Sequence, residues 1–557
     1  MNSVQLLAEE TVRHANTAVK NGDLRSAVDI LTWALKQFER LGRVAQDPAR
    51  QTMSALAMLH RDLCEVEVAS AYLDKALSFV NHKTQADVIR LRRAMLIPPM
   101  ILSRKDLYAT RNRIRGDLQA ILESDVRLRD PLQDIPTLHF YLAYHGLDDR
   151  YLLELQAEVF KSACPGLVRT APHVAEGRVG SADSRIRIGF LSTFFRDHTI
   201  GRLNAGILSA LPEEVFLKTL ILVEGYTDGF SREMTDRAEG CLRLSNDLAE
   251  ARSTLAQAEL DIIYFADIGM EPLTYYLAFS RSAHLQVTTW GHPVTTGLTN
   301  MDGFILASDM EPEGGDTHFT ERLIRLTRPN VVYRRPALAG KPRGRASFHL
   351  SSEENLYLCP QAIYKFHPDF DGVLAKILRR DPKGRLVLIQ SKYRAWDEIF
   401  LERLARHTEN LNQVTMLPSM SREDYLALLS SGDVMLDPFP FCGGNTTLEA
   451  LSFGTPVVTL PTRHVRGRLT YSFYRSIGVL DCICKDAGDY VDLAVELGTN
   501  PEAKKKVRRK ILARCGGLYE KRSAGDELSE SLLSQLNLRL PNAERAVCKY
   551  PGRAVCV

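Results

Sequence analysis

At 557 residues the chain is too long for a single hydrophobic core, and at about 150 residues per unit it divides into three or four. Its 45% hydrophobic and 25% charged residues are those of an ordinary globular protein, which sets aside a disordered or membrane-embedded chain. A net charge of +3 is too slight to argue for a nucleic-acid partner. The basic run Lys504 to Lys510 has no interleaved aromatics and reads as a solvated helix face.

No apolar run reaches the roughly 20 residues of a membrane span, so none is expected. The first ten residues carry Glu9 and Glu10 where a signal peptide needs a basic flank. Ten scattered cysteines, with Cys482 and Cys484 the tightest pair, form neither a Cys-x-x-Cys motif nor a disulfide framework. These features predict a cytoplasmic protein.

Residues 1–165 read as helical almost throughout. After Asp23, a capping type, Ala27, Leu31, Ala34 and Leu35 recur at helical spacing, and Ala69, Leu73, Ala76 and Leu77 repeat them at an offset of 42. That is near the tetratricopeptide period of about 34, so the segment reads as a degenerate helical repeat or a plain helical bundle, and as a protein-contacting arm. Residues 166–184 are rich in Gly, Pro and small side chains and predict a linker.

From residue 185 strands alternate with helices. Strands are predicted at 186–192, 219–223, 260–265, 285–289 and 303–307, ending near 342. A second α/β unit, 343–537, carries strands at 356–359, 385–389, 414–417, 434–436 and 457–460. The fold class is therefore α/β: two doubly wound sheets facing a cleft behind an all-helical domain, with ligands at the carboxyl ends of the strands. Residues 538–557 lack periodicity and read as a peripheral tail.

The stretch 433–461 is the most informative. Its strand is stopped by Pro438 and Pro440, Gly443 and Gly444 make a tight turn, and Asn445, Thr446 and Thr447 are good capping types for the helix that opens there. Such a helix start suits a diphosphate, and Glu449, a turn further, suits a ribose. Spacing alone allows an ordinary capped α/β unit equally well.

Other candidates also follow strands. His198 ends the loop after the first strand and could act as base, orient an acceptor, or be structural. His292, Thr295 and Thr296 could form a polar lip for a sugar, or a plain turn set by Pro293. Lys365, with Gln361 just before it, could neutralise a departing diphosphate, and Tyr425 could meet the base of a nucleotide or lie in the core. Asp369 and Asp371 read as a helix cap, and no His or Cys cluster has zinc spacing.

Taken together these motifs resemble glycosyltransferase family 41, the family of O-GlcNAc transferase, the Spindly-type protein fucosyltransferases and the bacterial adhesin N-glucosyltransferases. The resemblance runs from about Arg185 to Lys510 and implies the GT-B arrangement of two Rossmann-like lobes behind a helical region. It implies catalytic roles for His198 and Lys365. It implies donor binding by Gln361, Tyr425, Gly443, Gly444, Asn445, Thr446, Thr447 and Glu449, and a sugar or acceptor lip of His292, Thr295 and Thr296. Asn445 stands where O-GlcNAc transferase has His, and the stretches around Ile268, Tyr425 and Asp437 look closer to the N-glucosyltransferases, so the donor sugar stays open. Retaining GT-B enzymes carry a Glu eight residues before the ribose carboxylate; here that position is Phe441, which implies inversion. The implied activity is metal-independent and cofactor-free transfer of one sugar, from UDP-GlcNAc or UDP-glucose, to a protein side chain, Ser/Thr or Asn. The alternatives are a GDP-fucose donor or non-protein acceptor on the same scaffold, and a non-enzymatic adaptor.

Overall fold

The computed structural model describes residues 3–80, 82–180, 185–338, 340, 343–519 and 523–540. The amino-terminal helices include Ser3–Lys20, Leu24–Leu41, Gln46–Asp62, Val66–Leu77, Lys83–Ala94, Arg104–Leu122 and Arg150–Ala163. Asp23 caps the second of these by accepting the Ser26 N–H at 2.9 Å. Ala27, Leu31 and Ala34 share one core with Ala69, Leu73 and Ala76, so the repeated spacing marks two inward faces.

The first lobe is a parallel sheet of β1 (Ile186–Leu191), β2 (Phe216–Val223), β3 (Gly240–Leu244), β4 (Ile262–Phe265), β5 (Leu285–Thr289), β6 (Gly303–Ala307) and β7 (Arg322–Leu326). Their order is β3-β2-β1-β4-β5-β6-β7. The second lobe contains β8 (Asn355–Leu358), β9 (Gly384–Ile389), β10 (Val414–Leu417), β11 (Val434–Leu436) and β12 (Val457–Val458), ordered β10-β9-β8-β11-β12. Each order reverses once, between β1 and β4 and between β8 and β11. At such a switch point the two following loops diverge to opposite faces and leave a crevice for a ligand.

The predicted strands are present, although only Val457 and Val458 of the last one pair in the sheet. Two edge strands, β3 and β7, were not read from the sequence. Each interleaves exposed positions with apolar ones, as an edge allows, so neither shows the buried run of a central strand.

Three expectations about domain limits change. The helical region does not end as a separate arm at 165: Leu118, Leu142, Leu152 and Phe160 lie in one core with Leu191, Ile221, Leu273 and Tyr275 of the first lobe. The expected linker is packed down, with the Ala171 N–H donating to Arg281 O at 2.9 Å and His173 Nε2 3.0 Å from Leu260 O; residues 181–184 lie outside the described residues. The helix Ser523–Arg539, assigned from sequence to the second unit, returns to the first. Its Leu528, Leu532 and Leu536 pack with Ile186, Phe190 and Leu326, and Glu527 accepts the Thr327 N–H at 2.6 Å. Of the expected tail, 541–557 lies outside the described residues.

The helical region also locks onto the second lobe. Trp396 Nε1 donates to Asp62 O at 2.7 Å, and the buried Arg403 pairs with Asp371 at 2.5 Å while donating to Ile101 O at 2.6 Å. Asp371 is thereby a buried ion-pair partner, and the cap of its helix is His367, whose Nδ1 accepts the Asp369 N–H. Replacing Arg403 with Ala leaves the Asp371 carboxylate buried and unpaired. We expect Arg403→Ala to lower the unfolding free energy by about 3–5 kcal/mol in urea titrations, and an unchanged midpoint to refute this anchoring role.

Candidate active site

Three loops converge where the strand orders reverse. The loop after β1 ends at His198, which caps the helix Thr199–Ala210 by accepting the Ile200 N–H on Nδ1 at 3.3 Å. Its ring stacks on Phe194, with centroids 4.5 Å apart. Burial, then the nearby Arg196 and Arg202, push its pKa down to about 4. A neutral ring that accepts at Nδ1 carries its proton on Nε2, so this side chain offers the cleft a donor.

After β11 the chain passes through Asp437 to the glycine turn. Asp437 is buried; one carboxylate oxygen accepts the Gly443 N–H at 2.6 Å and the other the Thr459 hydroxyl at 2.8 Å. Burial lifts its pKa to about 6 against these hydrogen bonds. Gly443 is required by close approach: a Cβ there would lie 2.8 Å from Gln361 Nε2 and 2.9 Å from Thr447 Oγ1.

The helix Asn445–Ser452 then starts with Gly444 as its cap residue, and no side chain caps it. The expected capping by Asn445, Thr446 and Thr447 is therefore corrected, because all three side chains are turned to other partners. Asn445 Nδ2 donates to Thr199 O at 3.0 Å, tying this helix to the first lobe beside His198. Thr446 accepts from the Tyr425 hydroxyl at 3.3 Å, and Thr447 and Thr470 share a hydrogen bond of 2.8 Å. The first-turn N–H groups and the positive end of the dipole are left for an anion.

After β8, the neighbour of β11, Gln361 and Lys365 reach the same turn. Lys365 Nζ donates to Gln361 Oε1 at 2.9 Å and lies 4.9 Å from the centre of the Phe441 ring. Desolvation lowers its pKa, and Cys442 and Asp437 oppose that shift. Gln361 Nε2 is buried without a hydrogen-bond partner beside Gly443. Glu449, also buried, accepts from the Tyr333 hydroxyl at 3.1 Å and from Arg422 at 2.7 Å. Arg422 and Tyr425 sit three apart on one helix, so both face the Asn445–Ser452 helix.

The expected lip does not form. Thr295 and Thr296 are buried, and both hydroxyls donate to the buried Glu321, the first at 2.6 Å. His292 is buried and stacked on Phe140 at 5.3 Å, with burial pushing its pKa down to about 3. This turn is an internal buttress. In its place an aromatic cluster joins the helical region to the second lobe: Tyr144 of the helical region meets Tyr364 at 4.9 Å and Phe441 at 4.5 Å.

Sequence reasoning missed Asp437, Thr470, Tyr333 and the pairing of Arg422. Asp437 carried a signal, being the first residue after a buried strand; Tyr333 and Thr470 carried none, since their partners are remote in sequence.

Two parallel α/β lobes with facing switch points, fronted by helices, make a GT-B fold. The chain superposes with TM-score 0.70 on a mutant O-GlcNAc transferase of Thermobaculum terrenum, covering 98% of this chain and 99% of that one at 20% identity, which bears on the fold alone. Residues 342–522 match the model of glycosyl transferase family 41. A rice (Oryza sativa subsp. japonica) protein, "Probable UDP-N-acetylglucosamine--peptide N-acetylglucosaminyltransferase SPINDLY", is 31% identical over 242 residues, 42% of this chain and 25% of that protein. Its Arabidopsis thaliana namesake is 30% identical over 235 residues, again 42% and 25%. The matched region thus spans about a quarter of these curated relatives. The family match falls on the second lobe and the helices that flank it, residues 342–522.

Two outcomes test this geometry. Asp437→Ala strands the Gly443 N–H and the Thr459 hydroxyl in the interior, so we expect a loss of about 1–3 kcal/mol for each in urea unfolding, with Asp437→Asn milder. For His198, ring-carbon NMR should show no titration step between about pH 7.5 and pH 5, with protonation only near pH 4. A step near the ordinary value of about 6.5 would contradict the buried, neutral assignment.

Proposed function

We propose that the chain is an inverting, metal-independent transferase that moves one sugar from a UDP-sugar, UDP-GlcNAc or UDP-glucose, to a protein side chain. One observation carries the reading: Lys365, Gln361 and the uncapped start of the Asn445–Ser452 helix converge on the Gly443 turn, with Glu449 one turn beyond. That arrangement suits a diphosphate at the helix start and a ribose at Glu449, leaving Arg422 and Tyr425 beside the base. The printed names of the rice and Arabidopsis relatives, which specify UDP-N-acetylglucosamine and a peptide, support the same donor and acceptor classes.

In this mechanism the acceptor heteroatom attacks the anomeric carbon as the bond to the diphosphate oxygen breaks; the acceptor's proton passes to a departing phosphate oxygen or to water, and UDP leaves. Lys365 and the helix start meet the charge developing on the leaving group, so electrostatic stabilisation does most of the catalysis. Phe441 stands eight residues before Glu449, the position at which the family resemblance expects a retaining enzyme to carry a Glu, and this supports direct displacement. His198, with its proton on Nε2, positions donor or acceptor.

Thermal unfolding with UDP, GDP, UDP-GlcNAc, UDP-glucose and GDP-fucose, with and without EDTA, tests the donor class by mass action. We expect a UDP-selective increment of equal size with and without EDTA. Lys365→Ala should keep the fold and cut turnover by about 10²–10³-fold. GDP selectivity would overturn the donor assignment, and unchanged turnover in Lys365→Ala the role of that side chain.

A further inference from the structure

Away from the Gly443 turn, a second polar group meets across the seam between the lobes. Glu311 and His318 come from the segment joining β6 to β7, and His464 from the loop after β12. One ligand atom from each lies within 4.8 Å of the others. His318 Nδ1 is 2.5 Å from Glu311 Oε1, and the rings of His318 and His464 meet edge to face with centroids 4.4 Å apart.

The carboxylate is held in place from behind. Glu311 is 1% exposed, and its other oxygen accepts the Val465 N–H of the opposite lobe at 2.6 Å. Gly315 makes room for it, since a Cβ there would lie 2.6 Å from Glu311 Oε1. A ligating carboxylate oriented by a second hydrogen bond is a usual feature of a metal centre. A simple His318–Glu311 hydrogen bond accounts for two of the three residues and leaves out His464, whose ring makes no hydrogen bond among the described residues.

We propose that Glu311, His318 and His464 bind a divalent cation of the zinc class, which clips the first lobe to the second. Two imidazoles and a carboxylate are a donor set that such a metal takes, with water completing a tetrahedron. Local charge permits it. Two of the cations around it, Arg466 and Arg111, are both engaged by Asp149, at 3.0 and 2.6 Å, while Arg463 also faces His464; Asp148 and Asp149 line the same recess. The clip is structural and contains none of the donor-side residues, so it stands independently of the donor assignment and of metal-free transfer.

The test is a cobalt titration of chelator-stripped protein followed by zinc. We expect one equivalent of Co²⁺ to give the visible absorption of a four-coordinate site, displaced by one equivalent of Zn²⁺, together with a higher unfolding temperature. His318→Ala and His464→Ala should lose the band and the thermal gain, while the exposed His14→Ala keeps both. His464→Cys should restore binding with a new thiolate-to-cobalt charge-transfer band, a signature that a merely packed side chain would not produce. Absence of a bound equivalent in the unaltered protein, or a band that survives His464→Ala, would overturn the proposal.

Discussion

The Gly443 turn and the helix that opens from it depend on one buried carboxylate. Asp437 spends both oxygens on groups that the chain brings from elsewhere, the Gly443 N–H and the Thr459 hydroxyl. The bond to Gly443 folds the turn back on the end of β11, and the absence of a Cβ lets Gln361 and Thr447 close on it. The direction of the Asn445–Ser452 helix, the outward aim of its first N–H groups and the depth of Glu449 all follow from that closure. Burial disfavours the ionised form of this acid while its hydrogen bonds favour it, so the anchor is strong only while both donors are in place.

The helical region forms one packed body with the two lobes. It shares a core with the first lobe, and Arg403 and Trp396 bind it to the second. Its Phe140, Tyr141 and Tyr144 build the aromatic cluster that backs Tyr364, and through Phe441 the seat of Lys365. The carboxyl-terminal helix crosses back to cover the first sheet, so both lobes are held by segments distant from them in sequence. The Glu311, His318 and His464 group lies on the same seam and would add a further tie between the lobes.

Much of this architecture was legible along the chain. Central strands announced themselves as apolar runs bounded by Gly and Pro, and helices by their 3.6-residue period, because both patterns come from burial of one local face. Residues that follow a parallel strand lie at the sheet's carboxyl edge whatever the strand order, which is why His198, Gln361, Lys365, Gly443 and Glu449 could be named beforehand. The lip at Thr295 and Thr296 was misread because a hydroxyl that meets solvent and one that meets a buried Glu321 are spelled alike.

The sequence by itself determined the element types, the α/β alternation, the glycine turn and the family resemblance, since each is written within a few tens of residues. Tertiary structure alone decided which groups meet. The order of the strands, the return of the Ser523–Arg539 helix, the shared core, the Arg422–Glu449 pair, the Asp437 clamp and the Glu311–His318–His464 group all join residues whose spacing along the chain follows no local period. Such contacts are selected by the packing of whole layers, in which a buried polar group must find its partner wherever the fold delivers one.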